Sequence, residues 1–183
     1  MRFPIILVST VFVLSFFAMG LKTTAPKPQF PDDWLGTWKG TLRLERAGDT
    51  SAREFPMELR IQETDTTGNW DWIIIYGEGE KADVRQYSLI AQDSALSHFV
   101  IDEHNSIVLD QYLVGNRMFS RFSVDSTMLT VVYRLEGDVL YSEMWTGHLG
   151  GNRTGENLPA EENYTIFSFP FKTVQLCTLY RKR

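Results

Sequence analysis

The chain has 183 residues, 43% of them hydrophobic, a formal net charge of −5 and one cysteine. A domain of roughly 150 residues buries about 70% of its unfolded surface, so neither a disulfide nor a metal is needed to hold a core. The lone Cys177 has no intramolecular partner and reads as a buried hydrophobe, and with no basic run before Arg181-Lys182-Arg183 nucleic acid is a poor partner.

The first 20 residues read as a secretory signal: Arg2, an uncharged run from Pro4 to Met19, and small residues in Ala18-Met19-Gly20 before a cut at Leu21. Cleavage implies a secreted or periplasmic protein with no stable membrane insertion. The alternative is an uncleaved anchor, since Phe3 to Leu21 carries no charge and approaches spanning length. No cysteine near the cut offers a bacterial-type lipid attachment point. Residues 21–33, with Pro26, Pro28 and Pro31, read as an extended linker, and a single domain is expected over 34–183.

The domain opens on Trp34-Leu35-Gly36-Thr37-Trp38-Lys39-Gly40. Gly36 permits close backbone approach, Trp38 supplies a large apolar plug, and Gly40 relieves crowding where a strand bends. Thr41, Arg43 and Glu45 then alternate with Leu42 and Leu44, and after the Gly48-Asp49 turn Phe55, Met57, Leu59 and Ile61 alternate with polar neighbours. Trp70 to Tyr76 has the aromatic and β-branched composition of a pleated surface. Further strands are predicted at Val84–Ala91, His98–Asp102, Ile107–Val114, Arg117–Val124, Met128–Leu135, Val139–Thr146 and Lys172–Tyr180, separated by turn residues such as Gly115-Asn116 and Gly137-Asp138. About ten short strands at even spacing imply an all-β sandwich or up-and-down barrel. Gly147 to Asn163 reads as a mobile loop at a barrel mouth, and the aromatic stretch Tyr164 to Phe171 is expected to fill the core.

Gly36-Thr37-Trp38 resembles the Gly-x-Trp opening of the calycin barrels, the lipocalin, fatty-acid-binding and nitrobindin-like superfamily, and Val174 to Arg181 resembles the closing strand of fatty-acid-binding proteins. The resemblance implies a single antiparallel up-and-down barrel whose last strand lies beside the first, with Arg181 stacked over Trp38. Two departures are visible. The turn after the first strand leaves no room for a helical lid, and Leu179 interrupts the Arg-x-Tyr carboxylate clamp. The histidine that holds haem near the last strand of nitrobindin-like proteins is also missing, because none follows His148.

The three histidines, His98, His104 and His148, are too scattered for a metal site, and no nucleophile motif occurs, so neither metal nor cofactor is expected and no catalytic residue is assigned. A polar and aromatic set on the strands is the candidate binding surface: Trp72, Tyr76, Arg85, Tyr87, Arg121, Tyr133, Tyr141, Glu143 and Trp145. Turned inward, it suits an amphipathic ligand whose carboxylate meets a guanidinium. Turned outward, it is a solvated face, and one residue of phase decides which. The expected function is a monomeric barrel binding a small apolar or amphipathic molecule. An enzyme acting on a small carboxylate, of decarboxylase or isomerase type, and an envelope interaction protein with a filled barrel are the alternatives.

Overall fold

The computed structural model describes residues 29–93, 95–154 and 165–183; the leader, most of the linker, residues 155–163 of the long loop and the first residue of the aromatic stretch lie outside these. The strands are β1 (Gly36–Arg46), β2 (Arg53–Glu63), β3 (Asn69–Tyr76), β4 (Asp83–Asp93), β5 (His98–Asp102), β6 (Val108–Val114), β7 (Arg117–Val124), β8 (Thr127–Glu136), β9 (Val139–His148), β10 (Asn152–Thr154), β11 (Ile166–Ser168) and β12 (Phe171–Arg181). Ten of them close a barrel in the order β1-β12-β9-β8-β7-β6-β5-β4-β3-β2, and β10 and β11 pair separately. Every barrel neighbour in sequence is an antiparallel neighbour in space, and closure comes from β1 pairing with β12, from Trp38 opposite Arg181 to Arg46 opposite Thr173. Closure removes the free sheet edges that an open meander would expose. Among the described residues no helix is long and apolar enough to cross a membrane.

Period-two alternation sorts each strand into a lumen face and an outer face. At one end the lumen is solid. Trp34, Trp38, Leu59, Ile61, Leu89, Met118, Leu135, Leu140 and Leu179 are all completely buried there. The turn at Phe30–Trp34 seals this end: Phe30 packs edge-on against Trp34, Trp70 and Phe99, with ring centroids 5.1–5.8 Å apart. Trp38 donates its indole N–H to the Trp34 carbonyl at 2.9 Å. The last residues of the stretch read as linker are therefore packed onto the barrel.

Arg181 locks the closure. Its guanidinium lies 4.1 Å from the centre of the Trp38 ring and donates to the carbonyls of Leu35 and Asp33 at 2.5 Å. Gly36 sits at φ +129°, and a Cβ there would come within 3.1 Å of Arg181 Nη1. At Gly40 a Cβ would fall 2.0 Å from the Thr178 carbonyl oxygen, so the approach of β12 to β1 requires glycine.

The aromatic stretch before β12 departs from expectation. Phe167, Phe169 and Phe171 are each more than half exposed and do not enter the core. The reason is positional: β11 pairs with β10, Asn152 opposite Ser168, outside the barrel, and the chain rejoins the wall only at Phe171.

Candidate functional site

At the other end the lumen holds a cavity of about 120 Å³ to which all ten barrel strands contribute side chains. Its floor is made where Trp72 of β3 meets Tyr133 of β8 across the lumen, edge to face with centroids 5.0 Å apart. Ser142, opposite Tyr133 in the β8–β9 register, completes this layer. Above the floor, Gln111, Ser120 and Gln175 interrupt an otherwise apolar wall of Leu42, Met57, Ile74, Ile101, Val131 and Met144. Arg85, Tyr76, Tyr87 and Glu103 form the rim, with Leu109 and Phe122 between them.

The polar groups differ sharply with depth. Gln111, Ser120, Ser142 and Tyr133 are at most 8% exposed, and all are neutral. Burial pushes the Tyr133 hydroxyl well above its ordinary pKa; the neighbouring Tyr76 adds to this, and hydrogen bonding with Trp72 and Ser142 acts against it. It is a protonated donor throughout the physiological range. Ser120 donates to the Asp110 carbonyl at 2.8 Å. Among the described lining residues, charge appears only at the rim. The Arg85 side chain is about half exposed, pairs with Asp83 at 2.9 Å and lies 5.1 Å from the centre of the Tyr76 ring. Burial, then the nearby Glu103 carboxylate, raise the pKa of Tyr87. Cys177 is buried in the wall, which lifts its thiol to about 12 and makes it a poor nucleophile.

Of the sequence-derived set, Trp72, Tyr76, Arg85, Tyr87 and Tyr133 line this cavity. Arg121, Tyr141, Glu143 and Trp145 are placed on the outer face, which corrects the inward alternative for them. On β7 the lumen positions are Met118, Ser120 and Phe122, and on β9 they are Leu140, Ser142 and Met144, so the intervening residues point away. Tyr141 carries the Arg134 guanidinium on its ring at 4.1 Å. Arg121 and Trp145 border a separate external groove of about 410 Å³, with His148, Phe169 and Phe171 on its other side. The histidines are occupied outside the lumen: His98 stacks on Tyr112 and bonds Asp110 at 2.8 Å, His104 lies 3.2 Å from the Ser88 hydroxyl, and His148 accepts from the Gly150 amide. Gln111, Ser120, Ser142, Gln175 and Glu103 were not singled out from the sequence. The available signal was a small or neutral polar residue flanked two positions either way by apolar ones, as in Leu109-x-Gln111-x-Leu113, Met118-x-Ser120-x-Phe122 and Leu140-x-Ser142-x-Met144.

A closed ten-stranded antiparallel meander, opened by Gly36-Thr37-Trp38 and locked by Arg181 over Trp38, is a calycin-like barrel. Among solved structures, a protein of unknown function from the DUF3598 family of Nostoc punctiforme superposes with a TM-score of 0.59 at 14% identity, over 86% of this chain and 51% of that one. This chain thus spans about half the length of that protein, and the likeness is one of fold. A mutant of the fluorescent protein UnaG superposes over 83% of this chain and 98% of its own, at 13% identity and a TM-score of only 0.43. No protein-family model and no curated protein matches the sequence.

Proposed function

We propose that the protein binds a small molecule in the barrel lumen and admits it at the end rimmed by Tyr76, Arg85, Tyr87 and Glu103. The observation that carries this reading is the contrast between the two ends. One is packed solid around Trp34 and Trp38, and the other keeps a cavity of about 120 Å³ with neutral polar groups in its wall. A barrel that only presented its outer face to a partner would gain by filling this space, because each unfilled volume forfeits dispersion contacts. An engineered apolar cavity of about 150 Å³ holds benzene, so the lumen accommodates a ring-sized ligand or the end of a longer one. Leader and linker precede the barrel in this reading, and it acts after export; N-terminal sequencing of the exported protein should begin at or near Leu21. The binding reading is tested by native mass spectrometry of protein from its own host, followed by thermal shift with whatever co-purifies. A ligand that binds N and not U raises the melting temperature with its concentration. The absence of any bound molecule, with no stabilisation by ring-sized compounds, would remove the reading.

A further inference from the structure

Resting on that reading, we infer that the lumen selects an uncharged ligand with a hydrogen-bonding head, and that Gln111 is the residue that reads the head. Three observations converge. First, among the described residues the charged side chains lining the cavity are Arg85 and Glu103; both are at the rim, they are of opposite sign, and Arg85 is already paired with Asp83. Second, every polar side chain below the rim is neutral, and Tyr133 is held protonated by its burial. A carboxylate or ammonium taken down to this depth would lose its hydration and meet no counter-charge, which is among the costliest arrangements in a protein interior. Third, Gln111 is only 5% exposed and lines the cavity, yet no hydrogen bond joins its side-chain amide to another described residue. Its neighbour Ser120 is satisfied by the Asp110 carbonyl, and of the two side-chain amides in this wall, Gln111 and Gln175, each with a donor and an acceptor to offer, Gln111 is the more deeply buried.

An amide that faces the cavity with no protein partner gains when a ligand supplies the hydrogen bonds. The complementary chemistry is a compact alcohol, phenol or amide, its head against Gln111 and its apolar body between Trp72, Ile101 and Met144. Size and charge thus act together. The floor contact of Trp72 with Tyr133 limits depth, and the neutral wall rejects ions.

The test is a matched series of benzamide, phenol, toluene and benzoate, titrated against the full barrel and followed by tryptophan emission, to which Trp72 contributes, and by thermal shift. Benzamide and phenol are expected to bind about 10-fold or more tightly than benzoate, the discrimination a site without a counter-charge makes against an ion. Gln111→Leu should weaken benzamide by about 2–10-fold, the range for one neutral hydrogen bond, and leave toluene within about 2-fold. Gln111→Met, closer in shape, repeats the comparison should the leucine variant fold poorly. Benzoate binding at least as tightly as benzamide, with the benzoate binding lost in Arg85→Met, would overturn the inference and leave small-molecule binding intact. Equal losses for benzamide and toluene would show that Gln111 supports packing only, and would equally overturn it. No binding by any of the four compounds would overturn both the inference and the reading it rests on.

Discussion

Trp38 is completely buried and meets Arg181 on one side and the Trp34 carbonyl through its indole N–H. Trp38→Ala should cost about 3–5 kcal/mol, because the closed end has no side chain free to fill the space; an unchanged denaturation midpoint would show that the ring is dispensable. The charge pattern on the outer wall makes a second prediction. Glu58 lies between Lys39 and Arg60 in the β1–β2 surface. Partial burial alone would raise its pKa, but the hydrogen bonds from Lys39 and Arg60 prevail and hold it below the ordinary 4.5. A folded value below the unfolded one means stabilisation that is present above about pH 4.5 and lost as pH falls through the folded value. Glu58→Gln should therefore cost less than about 1 kcal/mol at neutral pH, Lys39 being half exposed, and nothing once the carboxyl is protonated in both states. Urea unfolding of both proteins across this range checks it, and a gap that persists in acid would refute the assignment.

The strands were legible because their boundaries are written in turn chemistry: Gly48-Asp49, Gly115-Asn116 and Gly137-Asp138 each separate two alternating runs. The phase of β7 and β9 was not legible, because both faces of these strands carry a mixture. On β9 the face with Tyr141, Glu143 and Trp145 competes with the face of Leu140, Ser142 and Met144. Aromatic mass drew attention to the first face, whereas a lumen that keeps a cavity needs the smaller side chains of the second. Trp145 instead finds apolar neighbours outside, in the groove beneath Phe169 and Phe171. Phase was easier in β1 and β2, where Leu42 and Met57, Leu59 and Ile61 have no aromatic rivals on the opposite face. The closure of β1 on β12 gives the test at this scale. A Cβ at Gly40 cannot coexist with the Thr178 carbonyl at 2.0 Å, so Gly40→Ala must push the two strands apart. The expected cost is about 1–3 kcal/mol, that of overpacking a tight site. Equal stability in chemical denaturation would mean that the two backbones are not in close apposition.

Across the whole barrel, one end is assembled for stability and the other for access, and the two should differ in how they open. Around Trp38, Leu59, Leu89, Leu135 and Leu179 every lumen side chain is fully buried, and the Phe30–Trp34 turn covers them. Around the rim, Val84 is half exposed, the Arg85 side chain is about half exposed, and β4 at Asp83–Arg85 projects past the end of β5, which first meets β4 at Ser88 opposite Asp102. Strand ends with one neighbour and few buried contacts open locally at small free-energy cost, while the packed end exchanges only when the whole barrel unfolds. Native-state hydrogen exchange should therefore give amides at Leu59, Leu89 and Leu179 the full unfolding free energy, and amides at Val84 and Arg85 a value lower by several kcal/mol. A ligand seated in the lumen would bridge β4, β6 and β8 through Tyr87, Gln111 and Tyr133. If it bound only the closed rim, protection would rise at Val84 and Arg85 by up to the full binding free energy. Protection at Leu59 and Leu179 would rise by the same increment, because global unfolding also releases the ligand. A rim as slowly exchanging as the plugged end would contradict the division of the barrel into a structural and an accessible half.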